Sequence, residues 1–494
     1  MKKTISLAGL SLAILLSGCS VGYYEMEPSS YYELNSAMDA NEQTGPESGD
    51  SFDTIKENPF VKVADNPVST FSVDADGACY AYMRACLRTR NFLPDRNSVR
   101  IEEYLNYFTF NYADPSGDET VAINAEIGDC PWNGGHKIMR LGLKGKSMPD
   151  NEIPDANFIL LIDTSGSMSG EDRIGLIKKG VCNMLDYMKP TDRIALITYS
   201  GKVEKVLAST PVSDKAKIKK AINSLMASGS TAGGAAMKMA YDEAVANYVK
   251  GGNNRIIMCT DGDFNVGVSS TTALTEMVES YLDKGIYLSI MGFGMGNFQD
   301  SRMEQLSNHG NGTYNYIDSE EEMMKVFVNE RSRFFSVAND TKCQVTFSPS
   351  VESYRLIGYE NRVMSKEDFE NDKKDAGEIG AGQTITALYE IVPSQEYTAD
   401  TKVASFDVRY KKALGEQSRT LGLEITATSL PASSEFSFAC GVASYGLVLL
   451  DSEYKGTSSF DLAQQLITPG LAFDHDGLRA QFSDLITLAS KARR

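Results

Sequence analysis

This 494-residue sequence predicts an α/β fold: a central, doubly wound, mostly parallel sheet, with a β-rich second body built from the N- and C-terminal segments. Three observations predict it. Residues 155–330 alternate apolar strands, at 158–162, 194–199, 255–260, 286–292 and 313–317, with helical stretches. Near-continuous apolar strands separated by helices mark a parallel sheet covered on both faces. The polar sequences DTSGS at 163–167 and TDGD at 260–263 each stand at the end of such a strand. That is the carboxyl edge, where open α/β sheets bind ligands. Finally, both flanks carry short strands split by polar turns, the pattern of antiparallel sheets or sandwiches.

The chain begins with Lys2 and Lys3, an apolar stretch at 5–16, and Leu16-Ser17-Gly18-Cys19. The apolar stretch is too short to span a bilayer as a permanent helix. The tetrapeptide resembles a bacterial lipobox, which implies a signal peptide over 1–19 and lipid attachment at Cys19. Ser20 resembles an outer-membrane sorting signal. The expected location is the bacterial cell envelope, lipid-anchored at the outer membrane. No later apolar run approaches the roughly 18 residues of a transmembrane helix, so a channel or transporter is not expected. Residues 20–57 hold nine acidic residues against Lys56 alone. They lack apolar periodicity and read as a flexible acidic tether.

Residues 58–150 read as a small N-terminal domain. A strand is expected at 70–74, then a helix over 77–90 capped by Asp76. An aromatic helix follows at 101–108, then strands at 121–127 and 138–143. In the central domain, Ile174, Ile177, Val181, Met184, Leu185 and Met188 recur at helical spacing before Pro190. Residues 336–494 read as strands at 345–347, 354–357, 384–392, 404–410 and 421–427. Helices are expected at 438–449, 460–466 and 478–492.

The net charge of -18 provides no basic footprint for nucleic acid. A phosphate-binding P-loop is absent, so no nucleotide is expected. Eight cysteines show no zinc spacing, and His136, His309 and His475 are far apart. Cys79 and Cys86 lie two helical turns apart, about 10 Å, too far for a disulfide. What remains is oxygen chemistry. DTSGS, the stretch GSTAG at 229–233, and TDGD supply carboxylates and hydroxyls from three loops. Such hard donors suit magnesium or a similar cation. Gly166, Gly229 and Gly262 are expected to allow the tight turns.

Other motifs fail. Asp261-x-Asp263-x-Asn265 imitates an EF-hand start, but Val266 and Thr272 stand where Gly and Glu are required. Gly292-x-Gly294-x-Gly296 lacks the third spacing of a dinucleotide fingerprint and reads as a turn. Around 166–170, Met168 occupies the nucleophile position of an elbow motif.

DTSGS, SGSTAGG and TDGDFNVG together resemble the three loops of a von Willebrand factor type A (VWA) domain, a Rossmann-like fold. TFSVDADGACY, IEEYLNYFTFNY, YRLIGYENR and SFACGVASYGLVLLDSEYKG resemble the flanking parts of bacterial VWA lipoproteins, one VWA-associated and one a C-terminal domain of unknown function. The resemblance implies a metal-ion-dependent adhesion site (MIDAS) of Asp163, Ser165, Ser167, Thr231 and Asp261. It would hold Mg2+, with Mn2+ or Ca2+ as alternatives. The expected function is cell-adhesion-type binding of a partner protein, whose Asp or Glu completes the coordination. Two alternatives stay open: a scaffold in which the metal is a staple, and, less favoured, a metal-assisted hydrolase. No catalytic residue is assigned and no enzyme activity is expected. The pair Cys79 and Cys86 departs from the family pattern; it touches packing, not the metal loops.

Overall fold

A computed structural model describes residues 49–149, 151–229, 234–262, 271–296, 298–413, 415–427 and 431–493. The signal segment, Cys19 and the tether up to residue 48 lie outside the described residues, and so does Thr231. The described residues all belong to one unit, Glu47–Arg494. None of their helices is long and apolar enough to cross a membrane.

Six strands form the central sheet, in the order Tyr314–Ile317, Ile286–Phe293, Asn253–Thr260, Ala156–Asp163, Arg193–Tyr199 and Val203–Pro211. The first five are parallel, as the apolar runs predict. Side chains alternate across the sheet with period two. Ile159 and Leu161 pack with Met237 and Tyr241 on one face. Leu160 and Ile162 pack with Ile177, Val181 and Met184 of helix Ile174–Met184 on the other. The edge strand Val203–Pro211 is antiparallel to its neighbour and was not expected. Only Leu207 and Thr210 of it are buried, so it lacks the continuous apolar signal of the others.

The second body is a sandwich of two antiparallel sheets, and both ends of the chain build it. Strand Val68–Ser72 pairs with Ser336–Phe347, and Lys137–Gly145 pairs with Thr384–Pro393. Phe71, Leu141, Val345, Ile385, Tyr389 and Phe406 share the core between the sheets. A helical layer adds Ala78–Ala85, Ile101–Asn106, Ser434–Leu450, Phe460–Ile467 and Leu478–Ala489. Tyr80, Tyr104, Phe108, Phe438 and Phe482 meet there in one cluster. Tyr80 stacks on Tyr107 at 3.8 Å.

The aromatics of the first segment are interior: Tyr80 and Tyr104 are fully buried. Exposing each would cost about 2 kcal/mol. Asp76 does not cap the first helix. Gly77 holds the cap position without a side-chain bond. The Asp76 carboxylate instead accepts from the Tyr314 backbone N–H at 2.7 Å and pairs with Arg362. It ties the N-terminal segment to the central sheet, a stronger use of a buried carboxylate than an exposed cap. Residues 49–57, read as the end of the tether, lie on the body. The carboxylate of Asp50 accepts from the backbone N–H of Gly296 and Phe298 and from the hydroxyl of Tyr82.

The seven cysteines of the described chain are all free. His309 ends helix Asp300–His309 before Gly310. His136 bonds Glu390 at 2.6 Å, a packing role.

Candidate metal centre

Asp163 is the last residue of its strand, and Asp261 directly follows strand Asn253–Thr260, its parallel neighbour. The parallel register therefore brings both carboxylates to the same edge. Asp163 is fully buried and Asp261 is 3% exposed. The Asp163 carboxylate accepts from the Ser165 backbone N–H at 2.8 Å, closing a short turn. That turn swings Ser165 and Ser167 together, with their hydroxyl oxygens 3.0 Å apart. Ser165 is buried and Ser167 exposed, so the group opens to solvent on the Ser167 side.

The second loop docks on the first. The Ser228 N–H donates to the Thr164 carbonyl at 2.7 Å, and the Gly166 N–H to the Gly229 carbonyl at 3.1 Å. These bonds carry the chain to the edge of the site just before Thr231, which itself lies outside the described residues. The structure thus brings Asp163, Ser165, Ser167 and Asp261 to one edge.

Sequence reasoning missed Thr260. Its hydroxyl donates to Asp163 at 3.3 Å and accepts from the Gly262 N–H at 3.1 Å, coupling the first loop to the third. The expectation for glycine is half corrected. Gly229 and Gly262 adopt φ of 92° and 94°, but Gly166 does not have a positive φ. A Cβ on Gly262 would sit 2.6 Å from the Gln299 nitrogen, whereas one on Gly166 meets nothing closer than 3.7 Å. Gly262→Ala should therefore cost on the order of 1–2 kcal/mol from the backbone conformation alone and weaken metal binding. Gly166→Ala should stay within about 0.5 kcal/mol of the parent. Thermal melts and metal titrations of the two variants check this pair. Equal behaviour would contradict the loop geometry.

The electrostatics call for a cation. Burial pushes the Asp163 carboxyl up to about 6, against the Ser165 hydrogen bonds, and the nearby Asp261 charge pushes the same way. Among the described residues, no lysine or arginine pairs with Asp163. A buried carboxylate without a basic partner, set beside a second buried carboxylate, is costly. A divalent ion between them removes that cost. Nor is there, among the described residues, a cluster of three or more His, Cys, Asp or Glu set to hold a metal. The donors are two carboxylates plus neutral hydroxyls, a set that fits magnesium-type ions rather than zinc.

Residues 157–330 match the model of the von Willebrand factor type A domain, and residues 46–140 match one described as von Willebrand factor. Residues 332–492 match "Uncharacterized protein YfbK, C-terminal". Fold, loops and matches define a VWA-domain protein. More narrowly, the chain belongs to the family of "Uncharacterized protein YfbK" from Escherichia coli (strain K12). It is 36% identical to that protein over 465 residues, covering 89% of this chain and 80% of the relative. It is also 27% identical over 224 residues to "Inter alpha-trypsin inhibitor, heavy chain 4" of Mus musculus, covering 43% of this chain and 23% of that one. Among solved structures, "von Willebrand factor type A from Catenulispora acidiphila" aligns with a TM-score of 0.44 and 16% identity. The alignment covers 75% of this chain and 91% of that chain. VWA domains commonly mediate metal-dependent protein–protein interaction, often through a divalent ion at a MIDAS, and such proteins are generally non-enzymatic.

Proposed function

We propose that this protein is a lipid-anchored envelope receptor that binds a partner protein through a divalent cation. Asp163, Ser165, Ser167, Thr231 and Asp261 would hold the ion, with Mg2+ as first choice. The carboxylate of a partner's Asp or Glu would complete its coordination. The observation that carries this reading is the buried pair Asp163 and Asp261, set at one sheet edge beside two converging serine hydroxyls and without a basic partner for Asp163. The exposure of Ser167 supports an ion reachable from outside. The hydroxyls add no negative charge beyond that of the two aspartates, so the ion stays a Lewis acid toward an incoming carboxylate. Binding, not catalysis, is the role these residues support.

Calorimetry on the full chain with Mg2+ and Mn2+ tests the reading, with and without a Glu-containing peptide as probe. Metal binding is expected in the parent, and the peptide is expected to bind only when metal is present. Peptide binding that is the same with a chelator would sink it. Cys19→Ser should move the protein from the membrane fraction to the soluble fraction. Unchanged fractionation would remove the lipid anchor from the proposal.

A further inference from the structure

At the opposite end of strand Asn253–Thr260 from Asp261 lies a cleft of about 290 Å³ between the central sheet and the second body. Arg255 lines it from the sheet, and Glu378 of strand Gly377–Gly380 from the sandwich. Six residues of extended chain separate Arg255 from Asp261, about 20 Å. This cleft is independent of the metal centre.

Arg255 is only 2% exposed. Its guanidinium donates to the Ser289 hydroxyl and to the Phe334 carbonyl, both at 2.7 Å and both neutral. Its Nε–H has no partner. Among the described residues no carboxylate forms an ion pair with it; Glu378 attracts it from a distance, the Tyr287 and Phe334 rings lie 5.1 and 5.3 Å from it, and burial pulls it down to about 10. The other arginines of the cleft are matched: Arg362 pairs with Asp74 and Asp76, and Arg333 with Glu330. On the far wall, one carboxylate oxygen of Glu378 is buried and also without a hydrogen-bond partner. Asp375 lines the same cleft and is exposed.

Here a buried guanidinium and a half-buried carboxyl face one cavity without forming an ion pair. Burial and the neighbouring Asp375 and Asp340 carboxylates push the Glu378 carboxyl up, and burial pulls Arg255 down, so each group is held away from its charged form. Bridging water would fill the space but supply neither charge. A simple anion would suit Arg255 and leave the acidic wall without a cation; a simple cation would do the reverse. A ligand carrying both signs satisfies both walls.

We propose that this cleft binds a small zwitterion of the α-amino-acid class, its carboxylate on Arg255 and its ammonium on Glu378 and Asp375. Arginine's planar fork suits a carboxylate bidentately. The test is calorimetry and thermal melting of the full chain with each of the twenty common L-amino acids. Acetate and methylammonium serve as half-ligands. At least one amino acid should bind and raise the melting temperature, and neither half-ligand should match it. Arg255→Gln and Glu378→Gln should each weaken binding at least tenfold while keeping the parent's circular dichroism. Glu378→Gln, conservative and only partly buried, serves if Arg255→Gln does not fold. The proposal is overturned if no amino acid binds, if acetate or methylammonium binds as well as the amino acid, or if binding survives in the folded variants. A more stable Arg255→Gln protein together with no binding would mean a merely hydrated cleft.

Discussion

Asp163→Ala should abolish Mg2+ and Mn2+ binding, a loss of at least about a hundredfold in affinity. Altering a group that only supports a metal ligand typically costs 10–100-fold, and Asp163 is proposed as a ligand itself. Its carboxylate also organises the others. It accepts from the Ser165 N–H and from the Thr260 hydroxyl, so its removal frees both the serine turn and the link to the third loop. Asp163→Asn separates charge from shape. It keeps an acceptor for Ser165 and removes one of two buried, mutually repelling carboxylates. The metal-free Asn variant should therefore melt at or above the parent while still failing to bind metal. A large fall in its metal-free stability would mean that Asp163 is chiefly structural. Thr260→Val, isosteric and apolar, should weaken metal binding by about tenfold without unfolding the protein. Calorimetry reads all three variants.

The largest stability effect is expected at Arg100. Its guanidinium is 3% exposed. It pairs with Glu103 at 3.0 Å, with Glu304 at 2.8 Å and with Asp300, and it contacts the Cys79 sulfur at 3.0 Å. These partners come from the N-terminal helices and from helix Asp300–His309 of the VWA domain. Arg100 therefore joins the two by charge. Arg100→Met keeps much of the volume and orphans three buried carboxylates. Removing one partner of a buried ion pair costs about 3–5 kcal/mol; with three carboxylates left, the upper end is expected. The pH dependence carries the sign. Burial already pushes Glu103 up to about 7, against the attraction of Arg100. A carboxyl raised in the folded state contributes stability that is fully present below its unfolded value near 4.5. That contribution is lost as pH rises through about 7. Without Arg100 the Glu103 and Glu304 carboxyls rise further, so the deficit of Arg100→Met should be largest at pH 8 and shrink toward pH 5. Urea unfolding at the two pH values measures this. A deficit that does not change with pH would assign the loss to packing alone.

These effects differ in how far they could be read from sequence. The carboxylate edge was legible because two short-range signals coincide: apolar runs end at Ile162 and Thr260, and an aspartate follows each directly. Parallel pairing then places both aspartates together without further information. The role of Thr260 was not legible, because a threonine at a strand end is ordinary and its partner lies 97 residues away. The Arg100 cluster was hidden for the opposite reason. Glu102 and Glu103 in IEEYLNYF look like the solvated face of an amphipathic helix, yet both are 1% exposed. For Glu103, Arg100 makes that burial tolerable, itself held by Asp300 and Glu304 of the VWA domain. The strand pairing of Val68–Ser72 with Ser336–Phe347 spans more than 260 residues. Sequence pattern could say that both ends are β-rich and share a body, but not which strands meet. Strand Val203–Pro211 was missed because Glu204 and Lys205 break its apolar signal at an exposed edge.

The central claim is that Asp163, Ser165, Ser167 and Asp261 surround a divalent ion. Crystals of the full chain grown with Mn2+ and measured at the manganese edge test it most directly. The account predicts one strong anomalous peak between Asp163 and Asp261, with the Ser165 and Ser167 hydroxyls within about 2.2 Å of it. It also predicts a position facing solvent that is filled by water or by a carboxylate. A peak elsewhere, or none at saturating Mn2+, would contradict it.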